Sequence, residues 1–177
     1  MSMNLNNITY DSHVINDIEI HIPSDLVFER VVRESAVVVA KHLGFVEERI
    51  ADLQLAVSEA VTNAIEHGNQ CNTSIKVGVK FIISQDKLAV QVTDKGQWES
   101  ALGAMDNIPD KWNLEERLEQ DLTRGMGFFL IQNLADNTEL TASEEGGTQF
   151  TMWFNIQKGK NNSQNVNIEM EGPEPIY

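Results

Sequence analysis

One stripe of small and medium apolar residues limits the folds open to this chain more than any other feature. Leu53, Ala56, Val57, Ala60, Val61 and Ala64 recur at the three- and four-residue steps of a helix. The spacing predicts a helix over residues 46–66, and His67-Gly68-Asn69 supplies its stop. Such a helix must bury its stripe against a second layer. The sequence that follows can provide one. Residues 74–84 and 88–93 are β-type runs joined by Gln85-Asp86-Lys87, a hairpin-length link. Residues 137–142 and 148–156 make two more, with Gly146-Gly147 as the turn before the last. Upstream, Asp17-Ile18-Glu19-Ile20-His21-Ile22 alternates strictly and reads as a half-buried strand. Pro23 ends it, Ser24 is placed to cap a helix over residues 25–42, and Gly44 closes that helix despite its β-prone Val37-Val38-Val39 run. Residues 128–134 form a short apolar helix. The expected fold is an α/β (α+β) two-layer sandwich, a mixed, mostly antiparallel sheet with helices packed on one face.

The polar stretch between Asp94 and Gly125 is long enough to be a functional lid, and Leu114, Leu118 and Leu122 within it suggest a short amphipathic helix. Residues 1–16 are expected to be a polar leader to the domain, 17–158 the domain itself, and 159–177 a disordered acidic-polar tail. With 13 Lys and Arg against 27 Asp and Glu, the net charge of −14 argues against direct binding to nucleic acid or an anionic membrane. It leaves room for a nucleotide held by backbone N–H groups and a metal ion, or for a basic protein partner. A single cysteine, Cys71, excludes an internal disulfide framework. The polar N-terminal sequence and the lack of a long apolar run lead to the expectation of a cytoplasmic protein.

Three short constellations carry chemistry. Glu59 and Asn63 are four residues apart, one above the other on the long helix, beside its apolar stripe. Asp94-Lys95-Gly96 follows directly on a strand, where a carboxylate next to glycine can meet a flat ring. Arg124-Gly125-Met126-Gly127-Phe128 opens the last helix with N–H groups and a guanidinium suited to an anion. Alone, each has a bland reading: a solvated helix face, a turn, a Gly-x-Gly of no consequence. No Walker A pattern is present.

Their order is more specific. LAVSEAVTNAIEHG (residues 55–68), VTDKG (92–96), RGMGFFLIQNLAD (124–136) and GGTQFTMWF (146–154) together resemble the GHKL (Bergerat) ATP-binding fold. More narrowly, they resemble the anti-sigma-factor serine/threonine kinases that control bacterial sporulation and stress sigma factors. The resemblance spans essentially the whole body of the chain. It implies that Glu59 is the general base and that Asn63 holds Mg²⁺ against the ATP phosphates. It further implies that Asp94 accepts from the adenine amino group beside Gly96, with Thr148 in support. Arg124, Gly125, Met126, Gly127 and Phe128 would belong to the phosphate-binding lid. The implied cofactors are ATP and Mg²⁺; the implied partners are a sigma factor and a STAS-type anti-anti-sigma protein, in a family that commonly forms homodimers. One motif departs from the family, whose pattern continues Asp-x-Gly-x-Gly, because Gln97-Trp98 follow Gly96 here. The loop after Asp94 is therefore expected to be reshaped, and a non-catalytic partner-switch adaptor with weak or no nucleotide turnover is the alternative.

Overall fold

A computed structural model describes residues 14–96, 126–143 and 146–156. Strand β1 (Val14–Pro23) leads through a 3₁₀ turn (Leu26–Phe28) into α1 (Glu29–His42) and then α2 (Glu47–Asn63). Helix α2 widens into a π-turn (Ala64–Gly68) before the hairpin of β2 (Lys76–Ser84) and β3 (Lys87–Asp94). The remaining elements are α3 (Met126–Leu134), β4 (Asn137–Ala142) and β5 (Thr148–Asn155). The strands form one sheet in the order β1-β2-β3-β5-β4, and every described pairing is antiparallel.

Alternation decides which face is covered. Val77, Val79 and Phe81 of β2, Leu88, Val90 and Val92 of β3, and Phe150, Met152 and Phe154 of β5 all enter one core. Val32, Ala36 and Val39 of α1 join them, as does the α2 stripe from Leu53 to Ala64. Each large apolar side chain so buried contributes about 1.5–3 kcal/mol, enough to override the β preference of Val37-Val38-Val39 within α1. The small residues at 56, 60 and 64 let α2 lie close over the sheet.

Ser24 does not cap a helix. Asp25 does, accepting from the Val27 N–H at 3.1 Å, while Ser24 is fully buried and donates to the Ile75 carbonyl at 2.8 Å. Arg49 of α2 secures the far corner: it donates to the Leu134 carbonyl at 2.6 Å, pairs with Asp136, and lies 5.3 Å from the Phe154 ring centroid. The Leu114–Leu118–Leu122 helix and the C-terminal tail fall outside the described residues.

Candidate functional site

Where α2 runs out over the end of β3, the core gives way to a cavity of about 600 Å³. That volume lies in the range of small-molecule sites, ~300–1,000 Å³. Asn63, Asp94, Gly96, Phe128 and Thr148 line it together. Phe128 packs edge-on against Phe150, ring centroids 5.4 Å apart, and gives the cavity a rigid apolar wall.

Asp94 closes one end. It is the last residue of β3, paired in register with Thr148 of β5, and only 9% exposed. The Gly96 N–H donates to its Oδ1 at 2.7 Å. Burial pushes its carboxyl above the usual carboxylate range, and the bonds from Gly96 and Thr148 pull partly back. Three glycines make room for it. A Cβ on Gly68 would overlap the Asp94 carboxyl, and one on Gly96 would stand 2.9 Å from Oδ1. Gly147, at φ +101°, abuts the Asp94 main chain so closely that a Cβ would overlap its carbonyl oxygen. Sequence reading took Gly68 for a helix stop and Gly147 for a turn. Nothing in the sequence signals that both meet one residue, Gly68 at its carboxyl from 26 positions upstream and Gly147 at its main chain from 53 downstream.

Glu59 and Asn63 stand together on α2, both half-buried, with Asn63 alone of the two lining the cavity. The first turn of α3 rests on both. A Cβ on Gly127 would lie 2.9 Å from Glu59 Oε2 and 3.3 Å from Asn63 Nδ2. That amide nitrogen is buried with no hydrogen-bond partner among the described residues. Amide orientation is an assignment, and a flip puts the carbonyl oxygen in the same orphaned place, as a cation ligand requires. Met126 opens α3, and Arg124, Gly125, Gln97 and Trp98 lie outside the described residues. Among the described residues no cluster of three His, Cys, Asp or Glu could hold a metal by itself. A single amide therefore fits only an ion whose other ligands are water and phosphate oxygens, as Mg²⁺ takes them.

A buried acceptor and a carboxylate–amide pair around one cavity suit a ligand with a polar ring and an anionic tail. Residues 22–154 match the family described as the histidine kinase-like ATPase domain. The chain belongs to that family. Within it, the histidine kinase-like chain is 28% identical over 166 residues to the serine-protein kinase RsbW of Bacillus pumilus, covering 89% of this chain and 98% of that one. RsbW of Staphylococcus aureus is 30% identical over 160 residues (85% and 95%), and that of Oceanobacillus iheyensis 32% over 123 (70% and 77%). The fold is also that of a chain in the SiaB–SiaC complex of Pseudomonas aeruginosa, with TM-score 0.62 at 9% identity over 80% of this chain and 90% of that one. A Mycobacterium tuberculosis chain carrying RsbU and RsbW domains aligns with TM-score 0.54 and 21% identity, over 78% of this chain and 31% of that one.

Proposed function

We propose that this protein is an ATP-dependent serine/threonine kinase and anti-sigma factor of a bacterial cytoplasm. In one state it sequesters a sigma factor; in the other it phosphorylates a small STAS-type anti-anti-sigma protein. The observation that carries the reading is the stacking of Glu59 and Asn63 on α2, beside a cavity that Asn63 and buried Asp94 line together. Ionised Asp94 offers only acceptors, which match the adenine amino group and oppose the guanine carbonyl. Asn63 would hold Mg²⁺, which when bound supplies neutralisation of phosphate charge. Glu59 takes the proton of the acceptor hydroxyl as its oxygen bonds to the γ-phosphorus and ADP departs. Binding alone requires no carboxylate beside Asn63, which favours transfer over simple adaptation. The RsbW relatives, named as serine-protein kinases, support the same chemistry. The net charge of −14 favours encounter with a basic sigma-factor surface.

The test is incubation with Mg·ATP and the STAS proteins of the same genome. Phosphate is expected on a STAS serine or threonine. Sigma-factor binding without transfer to any STAS protein overturns the kinase reading in favour of an adaptor.

A further inference from the structure

One buried polar side chain that lines the cavity is held by three hydrogen bonds of its own and has been given no role so far. Asn69 is 3% exposed and follows the π-turn of α2. Its Nδ2 donates to Ser24 Oγ at 2.9 Å and to the Lys76 carbonyl at 3.3 Å. Its Oδ1 accepts from the Lys95 N–H at 2.8 Å. Ser24 in turn donates to the Ile75 carbonyl at 2.8 Å, so the amide is braced against the ends of β1 and β2. The backbone around it is held as firmly. Asn69 N–H bonds to the Ala64 carbonyl and Cys71 N–H to the Ile65 carbonyl, both at 2.8 Å. Gln70 and Cys71 then adopt φ of 53° and 54°, a left-handed conformation costly for side chains other than glycine. Strain of that kind persists where the surroundings over-determine it, and it collects at working sites.

We propose that Asn69 is a positioning residue for base recognition: its carbonyl oxygen fixes the peptide joining Asp94 to Lys95, and with it the direction of the Asp94 carboxylate. The inference rests on the nucleotide reading of the cavity. The two successive N–H groups after Asp94 go to different acceptors. Lys95 N–H goes to Asn69, and Gly96 N–H returns to Asp94 Oδ1 at 2.7 Å. Rotating the 94–95 peptide breaks the first bond and swings the carboxylate away from the second. Gly68, the neighbour of Asn69, meets the Asp94 side chain itself, so the 68–69 dipeptide grips the 94–95 dipeptide at two points. A polar site gains selectivity only while its acceptor is aimed; misdirected, it no longer penalises the wrong ring.

Two variants separate aiming from mere support. Asn69→Ala and Asn69→Asp both lose the bonds from Nδ2, but only Asn69→Asp keeps an acceptor toward Lys95 N–H. Calorimetric titration with Mg·ATP, Mg·GTP and Mg·tripolyphosphate is read beside amide hydrogen exchange at Lys95. Asn69→Ala is expected to lower ATP affinity about tenfold, collapse the ATP/GTP ratio by a similar factor and speed Lys95 exchange. Tripolyphosphate affinity stays unchanged, because it carries no base for Asp94 to meet. Asn69→Asp keeps most of the ratio and the slow exchange. If Asn69→Ala does not fold, Asn69→Asp against the unmodified protein still decides: a lost ratio or a fast Lys95 amide overturns the proposal. Equal losses in both variants, or parallel losses for ATP and tripolyphosphate, overturn it as well. An unmodified protein that binds no ATP while its Lys95 amide is slow defeats the nucleotide reading instead, leaving the latch without a base to aim at.

Discussion

Gly68 touches the Asp94 carboxyl, and no side chain larger than hydrogen fits between them. The contact gives a first prediction. Gly68→Ala must displace Asp94 or open the π-turn, at a cost of about 1–3 kcal/mol in stability. If Asp94 recognises the base as proposed, ATP affinity is expected to fall by roughly 10–100-fold, since its carboxylate moves while the fold survives. Thermal melting and calorimetric titration of the same sample check both halves.

Asp94 ties stability to pH. Burial holds its carboxyl above the ordinary value in the folded chain. The folded state thus binds that proton more tightly than the unfolded state. The contribution is full below the unfolded pKa and is lost as pH rises through the folded one. Asp94→Asn removes the buried charge, so it should melt above the parent at pH 7, with the gap closing towards pH 4. The same variant should lose its preference for ATP over GTP. In the parent, ATP affinity should decline as acid neutralises Asp94. Melting curves and titrations across pH test these signs together.

Asn63 carries a buried amide nitrogen that nothing described bonds. Removing an unsatisfied group costs little, so Asn63→Ala should stay within about 1 kcal/mol of the parent in stability. Its ATP affinity should fall and no longer respond to Mg²⁺. Titration with and without the ion is the check; an undiminished Mg²⁺ effect removes Asn63 from the metal site.

Glu59→Gln keeps the shape of Glu59 beside Gly127 but cannot accept a proton near neutral pH. Transfer to a STAS serine or threonine is expected to drop by about 10²–10⁴-fold, with ATP and sigma-factor binding retained. Single-turnover phosphorylation measures the first and titration the second. An unchanged rate makes Glu59 a bystander.

Local pattern made much of this fold legible. The 53–64 stripe marked α2, alternation marked the strands, and residues 137–142 agree with β4 to the residue. Boundaries slipped where tertiary contacts decide them: β1 starts at Val14 rather than Asp17, and α2 leaves α-geometry at Ala64. Ser24 was misread because a good capping residue looks the same in sequence whether it turns to its own helix or to Asn69, 45 residues away. Glu59, Asn63 and Asp94 were picked out only by the order of their motifs along the chain, since each alone reads as a polar helix face or a turn. Gly68, Asn69 and Gly147 were not, since a glycine needed for clearance and an amide needed as a brace depend on what approaches from elsewhere.

The π-turn closing α2 sets the phase of everything beyond it. Asn69 N–H reaches back five residues to the Ala64 carbonyl, one more than an α-helix allows. That additional residue advances the chain by about 100° around the helix axis. The face bearing Glu59 and Asn63 and the face bearing Gly68 and Asn69 thereby open into one cavity instead of drifting apart. Deleting a single residue at exposed Glu66 would restore regular pitch and turn Gly68 and Asn69 off Asp94, leaving both ends chemically whole but uncoupled. What distinguishes this site from an ordinary polar helix is a one-residue insertion in its winding.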